Sequence, residues 1–232
     1  MDKPALVSLT FDDGLRCQFE QAVPILDRYR FPATFFLVAN TDPIHTDGWA
    51  EHNGFKWPKI AWNADDIQLL KGMVERRHES DGHSVNHTKQ RIIADPVFEA
   101  TESKRRIESW METTIPSYCY PFYLVAEGVR KAVIDAGYKQ ARAGAGNSYM
   151  PLGPLDWFRV DCRQISNNEN VAEWVRPARW HALTFHGIGG AQSGWQPINV
   201  AEFARQMAEL ARLRDSGAVE VVTFRDGADR LR

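Results

Sequence analysis

The chain has 232 residues, 44% of them apolar and 25% charged, and a net charge of −2. That suits one sizeable globular domain with ample core. The near-neutral balance gives no general attraction to nucleic acid or anionic membrane, and no run approaches the roughly 20 apolar residues of a membrane span, so these partner classes are excluded.

The chain opens with Leu6-Val-Ser-Leu-Thr-Phe-Asp-Asp-Gly14, an apolar strand that ends abruptly in two carboxylates and a glycine. Two charges at the tip of a buried strand are costly unless a cation neutralises them, because each raises the pKa of the other. The pattern points to a metal with a catalytic base beside it. Residues 17–30 carry Phe19, Ala22, Val23, Leu26 and Tyr29 at helical spacing, with Pro24 in a first turn or kink. Residues 33–38 read as a strand buried on both faces, so the start of the chain predicts a βαβ unit and a parallel sheet.

Residues 40–63 show no periodicity but hold Trp49, Trp57, Trp62, His45 and His52. This is a long excursion of the functional kind, or a flap whose tryptophans pack on the body. An amphipathic helix over 65–77 leads into the polar stretch 77–87. The expected elements then continue as a helix over 96–111 and a short strand in 117–123 stopped by Pro121. A helix over 126–136 with Gly137 as its cap comes next. Short strands are expected at 138–141 and 158–162. A clearer strand, 181–185, ends in His186. A helix over 200–214 and a strand over 219–224 close the series. There are no repeats or linkers. Residues 1–232 therefore read as a single α/β domain, most simply a (β/α) barrel of parallel strands with its chemistry at their carboxyl ends.

Asp12 and Asp13 meet that placement, although an Asp-Asp-Gly sequence alone is equally a turn or a helix N-cap. His83 and His87 are spaced i, i+4 and would face one side of a helix, with Ser84 capping the turn. The preceding His78-Glu79 pair reads as a solvated loop or a structural contact. Asp13, His83 and His87 together make a two-histidine, one-carboxylate set suited to Zn²⁺, with Fe²⁺ and Co²⁺ also fitting. Asp12 could then act as general base and His186 as general acid. Cys17, Cys119 and Cys162 form an odd set without a CxxC pair, against a disulfide framework and a cysteine-based zinc site. Met1-Asp2-Lys3-Pro4 lacks the basic and apolar regions of a signal peptide. The chain as written is expected to be cytoplasmic, or exported with its signal removed.

Thr10-Phe-Asp-Asp-Gly14, His83-Ser-Val-Asn-His87 and the Pro121-Phe122 turn follow one another in the order and approximate spacing of the polysaccharide deacetylase family. This is also called the NodB homology domain, or carbohydrate esterase family 4, and the resemblance covers nearly the whole chain. It implies a distorted (β/α) barrel of about seven strands and a metal-dependent hydrolase removing acetyl groups from amino sugars or acetylated xylan. It implies Asp12 as base, Asp13, His83 and His87 as metal ligands, His186 as acid and the Phe122 backbone N–H as oxyanion donor.

Two positions depart from the family pattern. An arginine that helps to orient the base usually stands where this chain has Cys119. An apolar leucine usually stands where it has Thr184. For the fourth motif, Asp156-Trp157 has the letters but Asp161 has the better place on its strand, and Asp161 is the residue expected to orient His186. Tyr123 and Trp195 could stack on sugar rings or pack in the core. The expected partner is an acetylated carbohydrate. Alternatives are a same-fold hydrolase of small cyclic amides or imides, and a catalytically silent carbohydrate-binding relative.

Overall fold

Alternation along the first strand sorts its residues into two layers. Phe11 stacks between Phe35 and Phe185, with ring centroids 4.8 and 5.2 Å away, and meets the edge of Phe203 on an outer helix. Ser8, Thr10 and Asp12 point the other way and make buried polar contacts. The structure, a computed structural model, describes residues 3–41, 44–45, 57–144 and 155–232. Its main strands are β1 (Ala5–Asp12), β2 (Ala33–Leu37), β3 (Glu79–Gly82), β4 (Ser117–Cys119), β5 (Gln140–Arg142), β6 (Arg163–Gln164), β7 (Trp180–Phe185) and β8 (Val219–Val221). The helices are α1 (Val23–Tyr29), α2 (Ala64–Glu75), α3 (Lys89–Ala94), α4 (Pro96–Met111), α5 (Glu127–Asp135), α6 (Val171–Trp174), α7 (Val200–Asp215) and α8 (Phe224–Leu231).

The strands lie in the order β5-β4-β3-β2-β1-β7-β6, and this seven-strand parallel path curls into a half-barrel. β1 is its centre. β7 pairs with it from Leu6 to Phe11 on one side. On the other, β8 pairs with Ala5–Val7 and β2 takes over from Leu9 to Asp12. The chain just before β6 turns towards the far edge, where Ala143 N donates to Val160 O at 2.7 Å and Val160 N to Ala141 O at 2.9 Å. Inside the half-barrel, Phe224 of α8 packs against Phe36 and Trp180, with centroids 5.7 and 5.1 Å away.

Two expectations are corrected and one strand was not expected. Residues 79–82 form strand β3. Their polar side chains find buried partners: Asp81 Oδ1 accepts from Ser117 N at 2.9 Å and Glu79 Oε2 from Thr34 Oγ1 at 2.9 Å. His78 is likewise buried, 3.1 Å from Asp27 Oδ1, so this pair is structural and not solvated. The last strand stops at Val221, because Thr223 caps α8 by accepting from Asp226 N at 3.1 Å. The expected strand over 158–162 contributes an isolated bridge at Val160, and β6 follows it.

In the 40–63 excursion, Ile44–His45 pairs antiparallel with Trp57–Pro58. Trp62 is buried, stacked on Trp110 at 4.3 Å and donating to Val38 O at 3.0 Å. Trp57 packs with Leu15. The described tryptophans are thus packing residues; Trp49, His52 and the His45 side chain lie outside the described residues. All three cysteines are free. No described helix is long and apolar enough to cross a membrane.

Phe11→Ala removes the ring on which three others rest and leaves a cavity at the central strand. It is expected to cost about 3–5 kcal/mol of unfolding free energy by urea titration; a loss below about 1 kcal/mol would contradict this account of the core.

Candidate active site

β1 delivers Asp12 to the carboxyl end of the sheet, and the next two residues turn the chain sharply. Asp13 has φ 76° and Gly14 φ 66°. The left-handed region is open to aspartate and easiest for glycine. A Cβ on Gly14 would lie 2.9 Å from Leu37 Cδ2, a second reason for glycine there. The turn gives the neighbouring carboxylates different surroundings.

Asp13 faces His83 and His87. Its Oδ1 lies 3.4 Å from His83 Nε2 and 3.2 Å from His87 Nε2, and the two Nε2 atoms are 3.1 Å apart. All three side chains are buried. Donors about 2.0–2.1 Å from a tetrahedral zinc stand about 3.3 Å from one another, so this triangle fits such an ion. His83 Nδ1 lies 2.9 Å from Cys119 O. A proton there fixes the tautomer that turns the Nε2 lone pair towards the triangle. Burial opposes charge on His83, yet Cys119 and the Asp13 carboxylate carry its pKa well above the usual histidine range. The surroundings favour a cation.

The two histidines do not share a helix face, as their spacing suggested. Residues 83–88 form an irregular loop between β3 and α3, with Ser84 at φ 63° and His87 at φ 53°. The expected Ser84 cap is present: its Oγ accepts from His87 N at 3.0 Å. Buried Glu99 on α4 braces the same loop, its Oε2 accepting from Val85 N and Asn86 N at 2.9 Å each. Glu99 Oε1 accepts from Asn86 Nδ2 at 2.6 Å.

Asp12 faces Arg142, a residue that the sequence reading did not single out. Arg142 is fully buried on β5, and its Nη2 donates to both Asp12 carboxylate oxygens. Burial would push the Asp12 carboxyl up, but Arg142, His83 and His186 hold it below the ordinary carboxylate range. Asp12 is therefore ionised at neutral pH. Asp12, His83 and Cys119 also converge closely enough for a metal, but Arg142 Nη2 already donates to Asp12 and to Cys119 Sγ, so that position holds a guanidinium.

His186 Nε2 lies 3.6 Å from Asp12 Oδ2. Burial lowers its pKa despite Asp12 and Asp13. Gln18 ties the two strand ends together, donating to Asp12 O at 2.6 Å and to His186 O at 2.9 Å. Phe122, at φ 56°, sets its ring 4.6 Å from that of His87. Tyr123 and Trp195 are partly exposed, at 37% and 38%. Asp156 is exposed and paired with Arg130 at 2.9 Å, as a surface residue. Asp161 is half-buried between Val160 and Cys162, which point into the barrel interior.

Residues 2–141 match the profile of a family described as polysaccharide deacetylase. The chain belongs to the polysaccharide deacetylase family. Membership makes it a hydrolase acting on acetyl groups of carbohydrate. The fold agrees with solved structures of that family. A family 4 acetyl xylan esterase from Clostridium thermocellum, solved with a cobalt ion, superposes with a TM-score of 0.62 at 16% identity, over 97% of this chain and 91% of that one. A carbohydrate esterase domain of a multidomain xylanase from the hindgut metagenome of Trinervitermes trinervoides gives 0.61 at 14% identity, over 98% and 91%. A polysaccharide deacetylase from Bacillus cereus gives 0.57 at 15%, over 94% and 91%. No curated protein matches the chain.

Glu99→Gln leaves an amide where two backbone N–H groups need a carboxylate, and so loosens the loop that presents both histidines. Zinc affinity, measured by competition with a chromogenic chelator, is expected to fall about 10–100-fold. Unchanged affinity would remove Glu99 from this role.

Proposed function

We propose that this polysaccharide deacetylase is a divalent-metal hydrolase removing N- or O-acetyl groups from a poly- or oligosaccharide, with residues 1–232 acting as one catalytic domain. The observation that carries the reading is the buried triangle of Asp13, His83 and His87, with donor atoms 3.1–3.4 Å apart, directly beside the Asp12 carboxylate.

In this reading Asp13, His83 and His87 hold Zn²⁺, with Co²⁺ an alternative for the same donors. The ion supplies a Lewis acid and brings the pKa of water towards neutrality. Asp12, kept ionised by Arg142, accepts the proton of the attacking water. The Phe122 backbone N–H donates to the oxyanion that forms at the acetyl carbonyl. His186, 3.6 Å from Asp12, gives a proton to the departing amine or alcohol. Asp161 orients His186. Tyr123 and Trp195, partly exposed beyond the third and last motifs, offer aromatic faces to sugar rings.

Arg142 weighs against a catalytically silent relative. The substitution at Cys119 was the one sequence feature that favoured silence, and a guanidinium occupies that place from another strand.

Acetate release from chitooligosaccharides and from acetylated xylan tests the reading and separates amide from ester. The wild type is expected to release acetate, to lose activity with a chelator and to regain it with zinc. Asp12→Asn is expected to keep its zinc and to lose activity by about 10²-fold or more. Equal activity in that variant would remove Asp12 as base. Turnover of a cyclic imide in place of any acetate release would assign the chain to the same-fold amidohydrolases.

A further inference from the structure

Arg142 is a charge with no access to water, and its two terminal nitrogens are surrounded by acceptors. Nη2 donates to both Asp12 oxygens and to Cys119 Sγ at 2.7 Å. Nη1 donates to Thr184 Oγ1 at 2.5 Å and to Cys162 Sγ at 2.8 Å. The guanidinium lies 5.3 Å from the centre of the Phe36 ring. Thr184 can satisfy its own proton as well: its Oγ1 is 3.2 Å from Thr10 Oγ1, and Thr10 donates onward to Leu183 O at 2.9 Å.

β4 and β5 pair in parallel with Cys119 and Arg142 as register partners. An arginine at position 142 therefore starts one strand, about 4.8 Å, to the side of an arginine at position 119. Its long stem covers that offset. With Cys119 Sγ only 2.7 Å from Nη2, the space beside Asp12 holds one guanidinium and not two.

We infer that Arg142 is the positioning residue for the base Asp12, and that Cys119 and Thr184 form a socket for it, so that the arginine's place has shifted sideways from β4 to β5. The two departures from the family pattern then have one cause. A small side chain at 119 vacates the room that the guanidinium fills. A hydroxyl at 184 accepts from Nη1 beside Cys162 Sγ, a bond that a leucine would remove from a fully buried charge. Arg142 acts through Asp12: it fixes the carboxylate so that one face meets the water, and it keeps the buried charge compensated. The catalytic half of this inference rests on the deacetylase reading; the pairing of the two strands does not.

Moving the arginine back is the test. Arg142→Cys and the exchange Cys119→Arg/Arg142→Cys are compared with wild type for melting temperature without metal, kcat and KM. Arg142→Cys is expected to melt at lower temperature and to lose about 10²-fold or more in kcat with little change in KM. The exchange is expected to recover most of the melting temperature and at least about a tenth of wild-type kcat. Folding of the exchange where Arg142→Cys fails to fold supports the inference equally. Wild-type kcat in Arg142→Cys, or an exchange no better than the single variant, overturns it. If the wild type releases no acetate, the deacetylase reading falls by itself and the melting comparison decides the pairing.

Discussion

A buried carboxylate must be held in its charged form by something positive, and this chain places two of them side by side at the tip of its most enclosed strand. Each carboxylate is compensated differently. Asp12 has its cation within the chain, in the guanidinium of Arg142. Asp13 faces two imidazole nitrogens in a geometry that suits a cation from outside. Two consecutive left-handed residues, Asp13 and Gly14, keep both carboxylates at one site, because an extended continuation would send the side chains to opposite faces of the sheet.

The inner layer of the half-barrel is organised around the same requirement. A parallel sheet buried on both faces is ordinarily lined with branched apolar side chains. Here Ser8, Thr10 and Asp12 run up the inner side of β1, and their partners Trp180 and Thr184 rise along β7. Phe224 packs beside them against Phe36 and Trp180, and Asp12 stands at the carboxyl end of its strand. Polar residues so deeply placed stabilise only when each bond is made, and the run from Arg142 through Thr184 and Thr10 to the Leu183 carbonyl closes in sequence.

What could be read from the sequence follows from this layering. β1, β2, β7, α4 and α7 were legible because their apolar residues recur with the period of their element. The rule that barrels do chemistry at strand ends brought Asp12, Asp13 and His186 together. β3 was not legible, since Glu79, Ser80 and Asp81 look like loop residues until a sheet supplies Ser117 and Thr34 as partners. The loop of 83–87 looked helical from spacing alone, but its turn comes from positive φ angles and from Glu99, which no periodicity reveals. Arg142 was hidden for a similar reason. It lies one residue beyond the strand expected at 138–141, and its partner Asp12 is 130 positions away. The available signal was an arginine at the carboxyl end of a short strand, the place where barrels keep functional groups.

The position of β1 has a consequence for how the site comes apart. Its amides are bonded into strands on both edges, β7 on one side and β8 then β2 on the other. Exchange of the Leu9–Asp12 amide hydrogens with solvent therefore requires the whole sheet to open. The His83–His87 loop and the turn at Phe122 lie outside that ladder and can open locally. The centre thus has two free energies of opening. Asp12 opens only with the fold, while the loop that carries the two histidines can open with the sheet intact.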